Sequence, residues 1–286
     1  MGVVDSREDV RQFLATRRAR ITPGQAGLPD YGGQRRVPGL RRAEVALLAG
    51  VSPDYYIRLE RGNLSGVSDS VLEAVARALQ LNEAERQHLF DLARTANAGS
   101  RVRRRPAPRR GVRPGVQQLL DAMTDAAAFV RNGRLDVLAA NRLGRALYAP
   151  HFDSPSRPVN LARFAFLDAR AADFYPDWTG TANIIVAMLR TEAGRDPYDK
   201  DLTDLVGELS TRSDEFRVRW AAHNVRLHQT GAKHFRHPVV GDLTLSYEAL
   251  PLPADPGLTL TAYTAEPASP THEALMLLAS WTATPV

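Results

Sequence analysis

Cysteine is absent from the 286 residues. Disulfides and cysteine-ligated zinc or iron–sulfur centres are thereby excluded. Lysine is almost absent too, with Lys200 and Lys233 the only two. Nearly all positive charge is arginine, and with abundant Ala, Gly and Pro this points to a GC-rich coding background, so the arginine count alone overstates function. No run approaches the roughly 18 apolar residues of a membrane span, and no basic segment followed by an apolar one opens the chain. The expectation is a cytoplasmic protein without a membrane partner. Phosphate loops of the GxxxxGK type, GxSxG elbows, GxGxxG turns and HExxH pairs are missing, so no assembled catalytic motif is present. Glu208 or Glu248 could pair with a histidine for acid–base work, but no spacing demands it. No enzyme and no cofactor are expected.

What is present suits a soluble globular protein, with 44% hydrophobic and 24% charged residues. At roughly 100–200 residues per domain, the length fits two domains. The net charge of +5 is unevenly spread. Residues 1–115 hold 21 Arg against 12 acids, whereas residues 116–286 carry a net −4. A basic half suggests a polyanionic partner. Yet residues 1–97 hold 14 Arg against the same 12 acids, and seven arginines from Arg101 to Arg113 supply the rest. Residues 98–115 contain those arginines, three prolines and no acid, which reads as an extended linker. It either adds non-specific phosphate affinity or only tethers two domains.

Residues 1–97 divide into five helices. The first runs from about Arg7 to Arg20, and the second from Arg41 to Ala49, stopping at Gly50. Ser52 and Pro53 open a third that closes at Gly62. Ser68 caps a fourth, with Val71, Leu72, Val75, Ala76 and Leu79 on one face. Asn82 and Glu85 have capping-box spacing for a fifth. The second half opens with a helix from Pro114 to Thr124. Strands at Ala128–Arg131 and Arg134–Ala139 are split by an Asn132-Gly133 turn. Helices are predicted over Asn141–Tyr148, Leu161–Leu167, Ala169–Phe174, Trp178–Ala193, Asp201–Ser210 and Glu215–His223. Strands return at Gly231–His237, Asp242–Leu250 and Leu258–Thr264, before a last helix from Ser269-Pro270 to Trp281. Two strands, a block of helices and three strands give an α+β domain with one antiparallel sheet.

Residues Arg41 to Gly62 form two short helices around a Gly50-Val51-Ser52 turn. Val45, Leu48, Val51, Tyr56 and Leu59 have the spacing to lock the helices together. Pro53, Asp54, Tyr55, Ile57 and Arg58 are left facing outward, as in a helix-turn-helix that presents its second helix to the major groove. The Ala43-Glu44-Val45-Ala46 opening, the turn and the Leu59-Glu60-Arg61-Gly62 close resemble the XRE-type helix-turn-helix of phage repressors. That resemblance implies double-stranded operator DNA as partner. It implies phosphate contacts from Arg41 and Arg42, and base-reading or near-base positions for Pro53, Asp54, Tyr55, Ile57 and Arg58. Arg58 is the candidate for a bidentate guanine contact. The connection from Arg20 to Pro38 is longer than in a compact repressor, and a Pro and an Asp open the recognition helix, so the base sequence read is not deducible. For Arg17, Arg18, Arg35 and Arg36, phosphate contact and plain solvation are both open.

Further resemblance lies in Asn141-Arg142-Leu143, Asp177-Trp178, Met188-Leu189-Arg190, Phe235-Arg236-His237-Pro238-Val239-Val240-Gly241, Tyr247-Glu248 and Tyr263-Thr264-Ala265-Glu266-Pro267. With the helix-turn-helix, these strings resemble the MmyB-like transcription regulators. The resemblance implies residues 1–97 as an all-α DNA-binding domain. It implies residues 116–286 as a PAS-like ligand-binding domain, with which the five predicted strands are compatible. It also implies a small hydrophobic or fatty-acid-like ligand.

The apolar helix from Trp178 to Ala193 is either buried on most sides or lines a cavity. Asn183 and Arg190 lie two turns apart on one face, with Ala187 between them. Arg190 could meet a carboxylate in an apolar pocket, or it could cap the helix or face water. Tyr148, Phe164, Phe166 and Trp178 are candidates for cavity lining or for plain core. His223, His228, His234 and His237 fail as a metal site, because His234 and His237 fall on opposite faces of one strand and no acidic cluster supports them. The leading expectation is a bacterial DNA-binding regulator, acting as a homodimer, whose C-terminal domain senses that ligand. The alternative makes this domain a dimerisation or partner-recruitment module without a ligand.

Overall fold

Residues 6–29, 37–97, 111–196, 198–222 and 230–283 are described by a computed structural model. They fall into two units: the first takes residues within 1–104, 190–204 and 219–227, and the second takes the others. Described residues 190–196, 198–204 and 219–222 count with the helical unit although they lie past residue 116. Residues 98–110 of the expected linker lie outside the described residues, as do Arg35, Arg36, His223 and His228.

The first unit is built on α1 (Ser6–Arg20), α2 (Arg42–Ala49), α3 (Pro53–Glu60), α4 (Asp69–Ala78) and α5 (Glu83–Asn97). Gly50 ends α2 in the left-handed region at φ 65°, and its N–H reaches back to the helix carbonyls. Only glycine takes that conformation without strain. Ser52 then caps α3, accepting from the Tyr55 N–H at 3.1 Å, with Pro53 as first helical residue. The capping box of α5 is complete: Asn82 Oδ1 accepts from Glu85 N at 3.0 Å, and Glu85 Oε2 from Asn82 N at 3.1 Å. The core contains Val45, Ala46, Tyr56, Leu59, Leu72, Val75, Leu89 and Leu92.

Arg17 and Arg18 are turned inward rather than solvated. Arg17 is 2% exposed, and its Nε lies 2.9 Å from Glu85. Arg18 holds Glu60 through Nε and Nη2 at 3.0 and 2.9 Å.

The second unit opens with α6 (Pro114–Ala122), then β1 (Ala127–Arg131) and β2 (Val137–Ala140). Next come α7 (Arg142–Leu147), α8 (Ala149–Phe152), α9 (Leu161–Leu167) and α10 (Ala171–Phe174). Helix α11 (Trp178–Arg195) follows, then α12 (Lys200–Arg212) and α13 (Asp214–Ala221). The chain returns to strands β3 (Thr230–His237), β4 (Gly241–Pro251) and β5 (Thr259–Thr264), and closes with α14 (Pro270–Ala283). The five strands form one antiparallel sheet in the order β2-β1-β5-β4-β3. This is the expected α+β domain, with α8 as an addition.

The β1–β2 connection differs from the two-residue turn expected at Asn132-Gly133. It spans residues 132–136 and is tied by side chains: Asn132 Nδ2 donates to Asp136 Oδ2 at 2.9 Å, and Asn160 Nδ2 to Asp136 Oδ1 at 2.8 Å. Leu135 sits there at φ 68° and is 1% exposed. The buried amide–carboxylate cluster and an inserted leucine outweigh the preference of Asn-Gly for a tight turn.

Candidate DNA-reading helix and ligand cavity

On α3, Pro53, Asp54 and Arg58 are exposed, Tyr55 and Ile57 are half-buried, and Tyr56 and Leu59 are buried. The 3.6-residue period alone separates these faces. The Arg58 guanidinium lies 5.3 Å from the centre of the Tyr55 ring, which gives the exposed arginine a stacking partner. Arg41 is exposed at the N-cap of α2, where its backbone N–H donates to Glu44 Oε2 at 2.6 Å.

Arg42 is more constrained than the sequence suggests. Its guanidinium reaches Glu60, with Nε at 3.1 Å and Nη2 at 3.0 Å from Oε1. Burial pulls the Glu60 pKa up, but hydrogen bonds from Arg18 and Arg42 outweigh it and hold the carboxyl below its usual value. Arg42 thus ties the first helix of the pair to the end of the second, while its side chain stays 54% exposed. The outward face joins a two-helix corner to exposed arginines at the start of α2 and in the last turn of α3, a geometry suited to a major groove flanked by phosphates.

The second site is a partly open cavity of about 100 Å3 inside the sheet-bearing unit. Phe129 from β1, Leu135 and Leu161, Ile184, Ile185 and Met188 from α11, and Tyr247 and Tyr263 form much of its wall. Arg131, Asp177 and Lys233 are the charged side chains around it. Asp177 Oδ1 accepts from Gly180 N at 2.9 Å, close to the start of α11.

None of the six residues singled out for ligand contact forms the cavity wall. Tyr148 and Phe164 belong to the aromatic core beside it. Tyr148 bonds the Tyr263 hydroxyl at 2.7 Å, and Phe164 stacks on His151 at 3.7 Å. Trp178 donates its ring N–H to Ala165 O at 2.8 Å. Asn183 is exposed and Ala187 buried on other faces of α11. Arg190 lies in the helical unit, 4.0 Å over the Trp220 ring, donating to the Trp220 carbonyl and 3.5 Å from Asp9. Phase is the reason: the cavity face of α11 is Gly180, Thr181, Ile184, Ile185 and Met188. The neighbouring turns Gly194–Arg195 pack in the helical unit, where Thr95 Oγ1 donates to Gly194 O at 3.2 Å and Arg195 meets Asp91 at 3.4 Å.

The residue that sequence reasoning passed over is Lys233. On β3 the even-numbered His234 and Arg236 face outward, whereas Phe235 and His237 are buried. Lys233 shares the inward face, with its ammonium 4.5 Å from the Tyr175 ring centre and 5.4 Å from that of Phe235. Burial pushes its pKa down to about 7. The same burial holds His151 well below its usual value, with nearby Lys233 and Arg170 adding to the effect, so His151 is neutral. His151 bonds the Tyr175 hydroxyl at 2.9 Å. His237 donates from Nε2 to Ala146 O at 3.0 Å, and among the described residues no group of three His, Asp or Glu could hold a metal ion. No described helix is long and apolar enough to cross a membrane.

Two family models match the chain. Residues 112–278 match the MmyB-like transcription regulator ligand binding domain, and residues 9–89 match a helix-turn-helix domain. No curated protein matches it.

Proposed function

The chain belongs to the MmyB-like transcription regulators, and from that premise we propose that it is a bacterial, cytoplasmic, ligand-responsive repressor or activator. The helix-turn-helix reads an operator through Pro53, Asp54, Tyr55, Ile57 and Arg58, with Arg41 and Arg42 on phosphates. The sheet-bearing domain takes a small hydrophobic or fatty-acid-like molecule, and two copies of the chain bind paired half-sites. The observation that carries the reading is an apolar cavity with one wall on α11, the helix whose last turns count with the helical unit. A ligand that favours one setting of α11 changes operator affinity in proportion to its differential binding.

Exposed Leu277 and Trp281 on α14 favour a second reading, in which the domain acts as a dimerisation module. Native mass spectrometry of the purified chain separates the two. A bound small-molecule mass supports the sensor. A dimer that carries no such mass, and whose operator affinity no added acid changes, supports the module.

A further inference from the structure

A lysine on the core face of a sheet needs a reason. Lys233 is half-buried, and stripping water from an ammonium costs free energy unless an opposite charge meets it. Among the described residues no carboxylate pairs with Lys233. Asp177, on the same cavity, accepts instead from Gly180 N at 2.9 Å. Two aromatic rings offset part of the cost, but a cation over rings remains without a counter-charge. The nearby hydroxyls are paired with one another, Tyr148 with Tyr263 at 2.7 Å and Tyr175 with His151 at 2.9 Å. Lys233 is therefore the polar group on the cavity that an incoming ligand would complete.

Size narrows the ligand. An apolar cavity of about 150 Å3 accepts a benzene-sized guest. This one holds about 100 Å3, against an apolar wall that includes Ile184, Ile185 and Met188. That is less than a benzene ring needs, so the enclosed part takes a short branched body or one edge of a ring, and most of a long acyl chain would lie outside it.

We infer that the cavity binds a compact monocarboxylate, with the carboxylate on the Lys233 ammonium and the apolar body against α11. The inference rests on the sensor reading and narrows its ligand class. The charge state of the site follows from its surroundings. His234 beside it on β3, His151 from α8, Tyr175 after α10, Asp177 before α11, Arg131 on β1, Tyr247 on β4 and Tyr263 on β5 are the titratable groups around Lys233. Burial keeps the phenols of Tyr175 and Tyr263 protonated and His151 neutral near pH 7. Lys233, with its pKa pushed down to about 7, changes charge there, and it binds a proton as the carboxylate arrives.

The test is calorimetric titration of the full-length chain with 3-methylbutanoate, benzoate, benzamide and hexadecanoate. It uses the wild type, Lys233→Met and Lys233→Arg, each checked for folding by thermal melting. The two short acids are expected to bind the wild type, at least tenfold more weakly to Lys233→Met, with partial recovery in Lys233→Arg. Benzamide, the neutral isostere of benzoate, is expected to bind at least tenfold more weakly than benzoate. Benzoate stays ionised between pH 6 and 8, so its affinity should fall over that range as Lys233 loses its proton. Equal binding to wild type and Lys233→Met, or equal binding of benzoate and benzamide, overturns the assignment. Should hexadecanoate alone bind and shift operator affinity, the sensor reading survives and the compact-acid inference falls. Should none of the four bind while operator binding is intact, both fall.

Discussion

Arg42 Nη2 and Glu60 Oε1 lie 3.0 Å apart, joining the start of α2 to the end of α3. Arg18 from α1 holds the same carboxylate, and Glu60 is 2% exposed. The DNA-reading corner is thus fixed by one buried acid between two arginines. Replacing that acid leaves both cations without it. Glu60→Gln is expected to lower the unfolding free energy by about 2 kcal/mol, read from urea denaturation at pH 7. Because the Glu60 pKa is lowered in the folded state, its contribution is present above the unfolded value of 4.5 and is lost as pH falls through the lowered one. The gap between variant and wild type should therefore close in acid.

Arg58 and Arg41 are both exposed, and the proposed reading gives them different roles. Arg58→Ala should relax specificity at one base pair, with a loss of about 1–3 kcal/mol against the preferred base. Arg41→Ala should weaken all sequences alike and reduce the salt slope by about 1. Fluorescence anisotropy on a selected operator and on single-base variants reads both. Unchanged binding in the two variants would contradict the docking of α3.

Asn141 is a hub within the second unit. Its Oδ1 accepts from Ala128 N at 2.9 Å and Gly144 N at 2.7 Å, and its Nδ2 donates to Met123 O and Ala126 O, each at 2.7 Å. One side chain thus caps α7 and fastens it to the start of β1. Asn141→Ala strands these backbone groups in a buried site and should destabilise the unit by about 3 kcal/mol. A thermal melt of the full chain followed by tyrosine fluorescence checks it, and a change below about 0.5 kcal/mol would contradict the hub role.

Lys233 opposes stability. Its pKa is about 7 folded against 10.5 for the free side chain, so between those values the unfolded state binds more protons. The destabilisation is complete below pH 7 and fades as pH rises toward 10.5. Lys233→Met should therefore be more stable than wild type, by about 2 kcal/mol at pH 6 once partial solvent screening is allowed for. The advantage should shrink by pH 9.5. An advantage that does not change with pH would mean that Lys233 is not buried as a charge.

The sequence reads well where a single period decides burial. Turn, caps and buried positions of residues 43–62 agree, so the outward face of α3 is legible in the sequence. The five-stranded sheet was legible too, through alternation such as that of β4, where Leu243, Leu245, Tyr247 and Ala249 are buried. The cavity was not. Helix α11 is apolar on most sides, and periodicity cannot say which side meets empty space. Asn183 and Arg190 do share a helix face, but the cavity is on another. Tyr148 and Phe164 are the right residue types at the wrong depth, filling the aromatic core beside the space. Lys233 was readable from the parity it shares with Phe235 and His237, an argument applied only to the histidines. Leu135 was hidden by a turn signal that side-chain hydrogen bonds override.

The central claim is that filling the cavity changes DNA binding. Its most direct test is operator affinity by fluorescence anisotropy at pH 6.5, with and without saturating benzoate or 3-methylbutanoate. Wild type is compared with Ile184→Trp, whose indole would fill the cavity. The account predicts a shift of about fivefold or more in wild-type affinity, and little or no further response in Ile184→Trp. Wild-type affinity that stays the same, with calorimetry showing the acid bound, would contradict it.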